Sequence, residues 1–186
     1  MKRVVDITLV CLVLPLLFLP AILICISIKL TSRGPVIFWS QRVGKDNIIF
    51  NMPKFRSMKM ETPKVATHLL ENPQKHLTPI GSFLRKTSLD ELPQLWSILI
   101  GDMSIVGPRP ALFNQYDLVG LRTQYGIERL APGLTGWAQI NGRDGISIQD
   151  KVQLDSYYLN NISWRLDLKI ILLTIYYAMA QVGVSH

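Results

Sequence analysis

Acidic residues are scarce at one end of this chain. Up to residue 64 they are only Asp6, Asp46 and Glu61, against ten lysines and arginines, and the remainder carries ten of each sign. The whole formal net charge of +7 therefore sits in the first third of the 186 residues. Such a stretch suits nucleic acid, anionic lipid or a phosphorylated substrate, and a merely solvated face accounts for it equally well. Cysteine is nearly absent. Cys11 and Cys25 lie in one apolar run and support neither a disulfide framework nor a zinc site, so they read as small hydrophobes. His68 and His76 have no cysteine or acid cluster at ligand spacing, which speaks against a histidine metal site. No Walker loop, GxGxxG, HExxH or GxSxG occurs, which disfavours P-loop, dinucleotide-binding, zinc-protease and hydrolase chemistry. Basic and aromatic residues do not interleave as a stacking platform would require, so no nucleic-acid partner is expected. There is no internal repeat and no low-complexity tract. Charged residues make up only 18% while hydrophobic ones reach 48%, which argues against disorder. The mean hydropathy of +0.24 points to a membrane contribution. The length suits one domain with a sizeable core.

What the chain has in abundance is grease near its start. Ile7 to Ile28 is a 22-residue run without a charge. At about 1.5 Å per residue it could just cross a bilayer core of roughly 30 Å. It is too long for a signal-peptide core, and no small-x-small cleavage site follows. Both flanks are basic, Lys2 and Arg3 before and Lys29 and Arg33 after, and the positive-inside bias then favours both ends on the cytoplasmic side. Pro15 and Pro20 interrupt the middle, where each removes a backbone hydrogen bond and favours a kink. A helix broken near its centre that enters and leaves by one leaflet reconciles these facts. A straight spanning helix and a buried soluble helix are the alternatives. Arg3 and Asp6 share a helical face and are expected to pair at the interface.

Beyond the run, VIFWSQRVG and IIFNMPKFRSM read as two strands around the turn Gly44-Lys45-Asp46-Asn47. Residues 61–79 read as a surface loop with at most one helical turn. A helical pattern begins at SFLRK, and LPQLWSILI reads as an apolar helix stopped by Gly101. GDMSIVGPRP reads as loop, ALFNQYDLVGLRTQYGIERL as helix, and APGLTGWAQINGRDG as loop again. DKVQLDSYYLNNI is expected to form an amphipathic helix. DLKIILLTIYYAMAQVG is expected to form a last helix, in the core or at the membrane interface, since its uncharged stretch is too short to span.

Two adjacent acids, Asp90 and Glu91, are candidates for either a structural or a chemical role. Ser88-x-x-Glu91 matches a helix capping box, a purely structural role. That register would put Pro93 at the fifth helical position, where its ring crowds the carbonyl of Leu89. A helix starting nearer Asp90 avoids the clash and places Asp90 at a positive helix end, which favours its ionised form. An ionised carboxylate beside cations can ligate magnesium or attack phosphorus. Arg85 precedes the acids by five residues, and Arg109 and Arg143 lie in glycine-containing loops suited to bidentate phosphate binding.

In order along the chain come KRVVD with a proline-broken apolar run, KFRSM, TSLDELPQLW, GDMSIVGPRP and PGLTGWAQINGR. This ordered set resembles the bacterial sugar transferase family, the small monotopic phosphoglycosyl transferases, over nearly the whole chain. The resemblance implies transfer of a sugar 1-phosphate from a UDP-sugar to a polyprenyl phosphate, usually undecaprenyl phosphate, with release of UMP. It implies Asp90 as nucleophile forming a covalent phosphosugar, Glu91 as its partner in the dyad, and magnesium beside Asp90. It matches the family's phosphate-binding cations to Lys54, Arg85, Arg109 and Arg143, and its helix break to Pro20. The fold expected is helix-dominated α+β. Residues 1–30 would form a re-entrant membrane anchor. Residues 31–186 would form a cytoplasmic catalytic domain with a short β-hairpin and interfacial helices. The setting would be the cytoplasmic face of the bacterial inner membrane, in contact with its lipid, with room for an oligomer. Two positions depart from the common pattern: Leu19 precedes the central proline where many relatives have a small polar residue, and Ala131 precedes Pro132 where many have a basic one. A membrane-surface adaptor binding anionic lipid is the alternative, and it would have no use for Asp90 and Glu91.

Overall fold

The structure is a computed structural model that describes residues 2–63, 72–142 and 145–180. It is helix-dominated α+β. Helix α1, Lys2–Thr31, takes up the whole apolar run and continues through Pro15 and Pro20. Its buried residues come in two pairs, Asp6 with Val10 and Ile24 with Ile28, one pair near each end. Between them the side chains face outward, with Leu12 65%, Leu16 76% and Leu19 64% exposed.

Strands β1 (Ile37–Val43) and β2 (Ile49–Phe55) form the expected antiparallel hairpin, in register from Ile37 opposite Phe55 to Val43 opposite Ile49. Asp46 and Asn47 turn the chain at φ of 54° and 61°, the left-handed conformation that these two residue types tolerate. Strand β2 then serves both ends of α1. Met52 packs with Val10, Ile98 and Met103, while Phe55 packs with Ile24, Ile28 and Leu84. Arg56, buried just beyond the strand, donates to the carbonyls of Ser32 and Arg33 and so closes the C-terminal end of α1. Between the hairpin and the next helix, Pro73–His76 forms a helical turn among the described residues of that loop.

Short helices α2 (Gly81–Lys86) and α3 (Gln94–Ile100) follow, and Gly101 ends α3 at φ 102° as expected. The stretch expected to be loop after it contains strand β3, Ser104–Val106. The second such stretch contains strand β4, Gly133–Thr135, and helix α5, Trp137–Asn141. β3 and β4 pair in parallel, Ser104 opposite Gly133 and Val106 opposite Thr135. Three-residue strands are too short for an alternating pattern, and glycine and proline on both sides hide them. The glycines are there for close approach: a Cβ on Gly133 would fall on the amide of Gly107. Helix α4 spans Tyr116–Gln124, later than the expected start at Ala111, because the Gln115 side chain accepts from the Leu112 amide at 2.8 Å and holds a turn there. Helices α6 (Ile148–Asn160) and α7 (Trp164–Met179) complete the described chain, each capped by a serine, Ser147 and Ser163. Val152 of α6 packs with Ala111, Leu118 and Ile127, and Tyr158 packs with Val106 and Ile170.

The expected Arg3–Asp6 ion pair is replaced by tertiary bonds. Asp6 accepts from the Ser104 hydroxyl at 2.8 Å and the Ile105 amide at 3.1 Å. Arg3 donates to the carbonyls of Ile98 and Leu99, the orphan acceptors at the end of α3. A buried carboxylate gains more from two donors that cannot reach water than from a mobile arginine one turn away. The first turn of α1 is further tied to α7 by Lys2 and Asp167, 2.6 Å apart.

Candidate active site

Asp90 and Glu91 sit in the 3₁₀ turn Leu89–Glu91, between α2 and α3. Leu89 and Leu92, on either side, pack into the cluster of Ile24, Ile28, Phe55 and Leu84. With its leucines anchored there, the turn directs the two acids toward the hairpin and the loop after β3. Ser88 is no capping residue: its backbone is left-handed, at φ 55°, and its side chain makes no cap bond. Helix α3 begins three residues past Glu91, after Pro93, so neither acid is a first-turn residue of that helix.

Lys54 of β2 places its ammonium 2.7 Å from Glu91 Oε1, and Arg109 Nη2 lies 3.4 Å from the same oxygen. Arg42 is the residue sequence reasoning missed. Hairpin register sets it opposite Phe50 and Lys54 opposite Phe38, which puts both cations on one face. The even spacing of Arg42 and Lys54 about the turn was the available signal. Arg42 donates to the Ser40 hydroxyl at 3.0 Å and the Pro110 carbonyl at 3.1 Å. Burial lowers its pKa to about 10, helped by Arg109 and opposed by Glu91.

The adjacent carboxyls are driven apart. Burial raises Asp90 to about 6, against the opposing pull of Lys54, Arg85 and Arg109. Burial would raise Glu91 too, but Lys54 and Arg109 outweigh it and bring that carboxyl to about 2. The expectation that a helix end favours ionised Asp90 is corrected here, because desolvation dominates. At neutral pH Asp90 is still mostly ionised, and it is the more basic of the two. Lys54, Arg85 and Arg109 all act electrostatically on Asp90, so the structure brings these four predicted residues together with Glu91. Arg143 lies outside the described residues, as does His68.

Among the described residues no three histidine, cysteine or acidic side chains converge as a metal cage. The Asp90 carboxylate, which makes no salt bridge of its own to Lys54 or Arg109, is a hard oxygen donor of the type that magnesium takes.

The bacterial sugar transferase family model matches residues 1–181. The chain is 42% identical to the UDP-glucose:undecaprenyl-phosphate glucose-1-phosphate transferase of Escherichia coli K12, covering 95% of this chain and 39% of that protein. It is 39% identical to the uncharacterized sugar transferase EpsL of Bacillus subtilis 168, covering 100% of this chain and 91% of that protein. It is 36% identical to the undecaprenyl-phosphate galactose phosphotransferase of Salmonella typhimurium LT2, covering 94% of this chain and 39% of that protein. The chain thus spans about two fifths of the two longer relatives and nearly all of the shorter one. It belongs to the bacterial sugar transferase family.

Proposed function

We propose that this member of the bacterial sugar transferase family moves a sugar 1-phosphate from a UDP-sugar to undecaprenyl phosphate and releases UMP. The observation that carries this reading is the dyad: two neighbouring carboxyls held at about 6 and about 2 by different surroundings. Such a split assigns two roles. The names of the Escherichia coli and Salmonella relatives support the donor and acceptor classes.

In the first half-reaction an Asp90 carboxylate oxygen attacks the β-phosphorus of the UDP-sugar. The Asp90–phosphorus bond forms, the bond from that phosphorus to the bridging oxygen breaks, and UMP leaves with the electron pair. In the second, a phosphate oxygen of undecaprenyl phosphate attacks the same phosphorus, and Asp90 departs as a carboxylate. Desolvation leaves Asp90 poorly hydrated and more basic than a surface aspartate, which favours attack. Glu91 stays ionised, and its salt bridges hold Lys54 and Arg109 beside the reacting phosphate. Lys54, Arg85, Arg109 and Arg42 offset charge on the diphosphate, and Arg143 is assigned the same task by its motif alone. Asp90 would hold magnesium together with substrate phosphate oxygens, where the ion would neutralise phosphate charge.

Two features support a re-entrant anchor at the cytoplasmic membrane surface. Val10 and Ile28, near opposite ends of α1, both pack onto the same domain, whereas the middle of the helix is exposed and apolar. Ends docked on one body lie on one side of a bilayer. On α7, Trp164 (70%), Leu168 (48%), Leu172 (58%) and Ile175 (52%) are exposed along one helical stripe, beside Arg165 and Lys169.

The test is UMP release in detergent from UDP-glucose, UDP-galactose and UDP-N-acetylgalactosamine, with and without undecaprenyl phosphate. Turnover with acceptor, and about one equivalent of UMP per enzyme without it, is expected for a covalent intermediate. No UMP from any donor sinks the reading, and release strictly dependent on acceptor replaces the covalent step by direct transfer.

A further inference from the structure

The segment Pro108-Arg109-Pro110 has lost two amide donors to proline, so its backbone can be held chiefly through its carbonyls. Successive carbonyls are taken by different elements. Pro108 accepts from the Gly133 amide of β4 at 2.9 Å and Ala111 from the Val43 amide of β1 at 3.0 Å. Pro110 accepts from Arg42 at 3.1 Å, and Arg109 accepts from Nη1 of Arg122 at 2.8 Å.

Two of these holders are side chains, and of the two Arg42 acts electrostatically on the dyad whereas Arg122, on α4 and 8% exposed, does not. Its Nε and Nη2 both donate to Asp155 Oδ2 of α6, at 3.0 and 2.6 Å, and Asp155 is 1% exposed. One planar guanidinium therefore spends two donors on a buried carboxylate and aims the third edge at the Arg109 carbonyl. The Arg109 side chain is 43% exposed and reaches Glu91 at 3.4 Å, starting from a backbone whose carbonyl Arg122 holds.

We infer that Arg122, oriented by Asp155, is a positioning residue that sets the Arg109 backbone and through it the guanidinium at the dyad. This rests on the proposed function, in which Arg109 meets the substrate diphosphate. Lysine cannot substitute. A single ammonium cannot satisfy the carboxylate edge-on and also reach the Arg109 carbonyl in the same plane.

A double-mutant cycle on the full chain tests it, with UMP release at saturating undecaprenyl phosphate as readout and the best of the three UDP-sugars as donor. Arg122→Lys is expected to lower kcat by about 10-fold or more, as a misplaced group does. In an Arg109→Ala background the same change is expected to cost less than about 2-fold, because nothing remains to be placed. Melting temperature is measured alongside, since loss of fold lowers activity in both backgrounds alike. Asp155→Asn keeps the Arg122 guanidinium but weakens its orientation, and is expected to show the same dependence on Arg109 with a smaller loss. If Arg122→Lys fails to fold, that second cycle decides. Equal losses in both backgrounds overturn the inference and leave the Arg122–Asp155 pair as core structure. An Arg109→Ala single variant with wild-type kcat and KM overturns Arg109's place in the proposed site, and the inference falls with it. Those failures are read from different variants.

Discussion

The Lys54 ammonium lies 2.7 Å from Glu91, and this pair makes two neighbouring acids chemically unlike. Glu91 gains an ion pair and a charge-assisted hydrogen bond. Asp90, one residue earlier, keeps the burial without that bond. Lys54→Met should therefore leave Glu91 buried beside fewer cations. Breaking a mostly buried pair from one side should cost about 2–4 kcal/mol of stability. UMP release should fall at least about 100-fold, because the cation is also missing from the diphosphate site. A variant that melts lower but turns over normally would limit Lys54 to structure.

Asp90→Asn preserves shape and hydrogen-bonding size. It should insert and melt like wild type, or slightly higher, since a desolvated charge is removed. Turnover should be almost nil, because an amide is a poor nucleophile. Peptide mapping of quenched wild type given radiolabelled UDP-sugar should find the phosphosugar on Asp90. A label on any other residue would move the nucleophile.

The raised Asp90 carboxyl sets a pH dependence. For a nucleophile that must be ionised, kcat/KM should fall tenfold per pH unit below about 6. The sign for stability is opposite. A carboxyl raised above its unfolded value of 3.8 binds its proton more tightly when folded, so this group destabilises above pH 6 and that penalty fades as pH falls toward 4. Glu91, lowered to about 2 from 4.5, stabilises above 4.5 and loses that contribution as pH drops toward 2. The acid limb should vanish from any residual activity of Asp90→Asn. A kcat/KM profile flat from pH 7 to 5 would contradict the assignment.

Arg42→Lys retains charge while losing the fork that spans Ser40 and Pro110. It should lower kcat by roughly 5- to 50-fold with little change in the fraction folded. Wild-type kinetics would place Arg42 outside the site.

For the anchor, single cysteines at positions 2 and 33 should both resist a membrane-impermeant thiol reagent added to intact cells, in a background lacking Cys11 and Cys25. Pro20→Ala, by restoring a backbone hydrogen bond, should shift some molecules toward a spanning state in which one site labels. Labelling of one site in the proline-containing chain would show that α1 spans.

Much of this molecule is legible without coordinates. The hairpin follows from two apolar runs about a Gly-Lys-Asp-Asn turn, and α3 from an apolar stretch closed by Gly101. Both are local events, governed by the side-chain period and by which residues accept left-handed backbone. The dyad and the basic first third are legible for the same reason, as residue types in short spans. What stays hidden is who meets whom. Asp6 bonds Ser104 across 98 residues, Lys54 reaches Glu91 across 37, and Arg122 grips Asp155 across 33. Asp6 looked ready to pair with Arg3, and only the arrival of β3 beside α1 offered it better donors. Adjacent acids in a sequence are equals. Unequal burial and unequal access to Lys54 separate them, and both arise when β2, the Leu89–Glu91 turn and the Arg109 loop pack together, because desolvation and Coulomb energy depend on distances through space and carry no periodic trace along the chain.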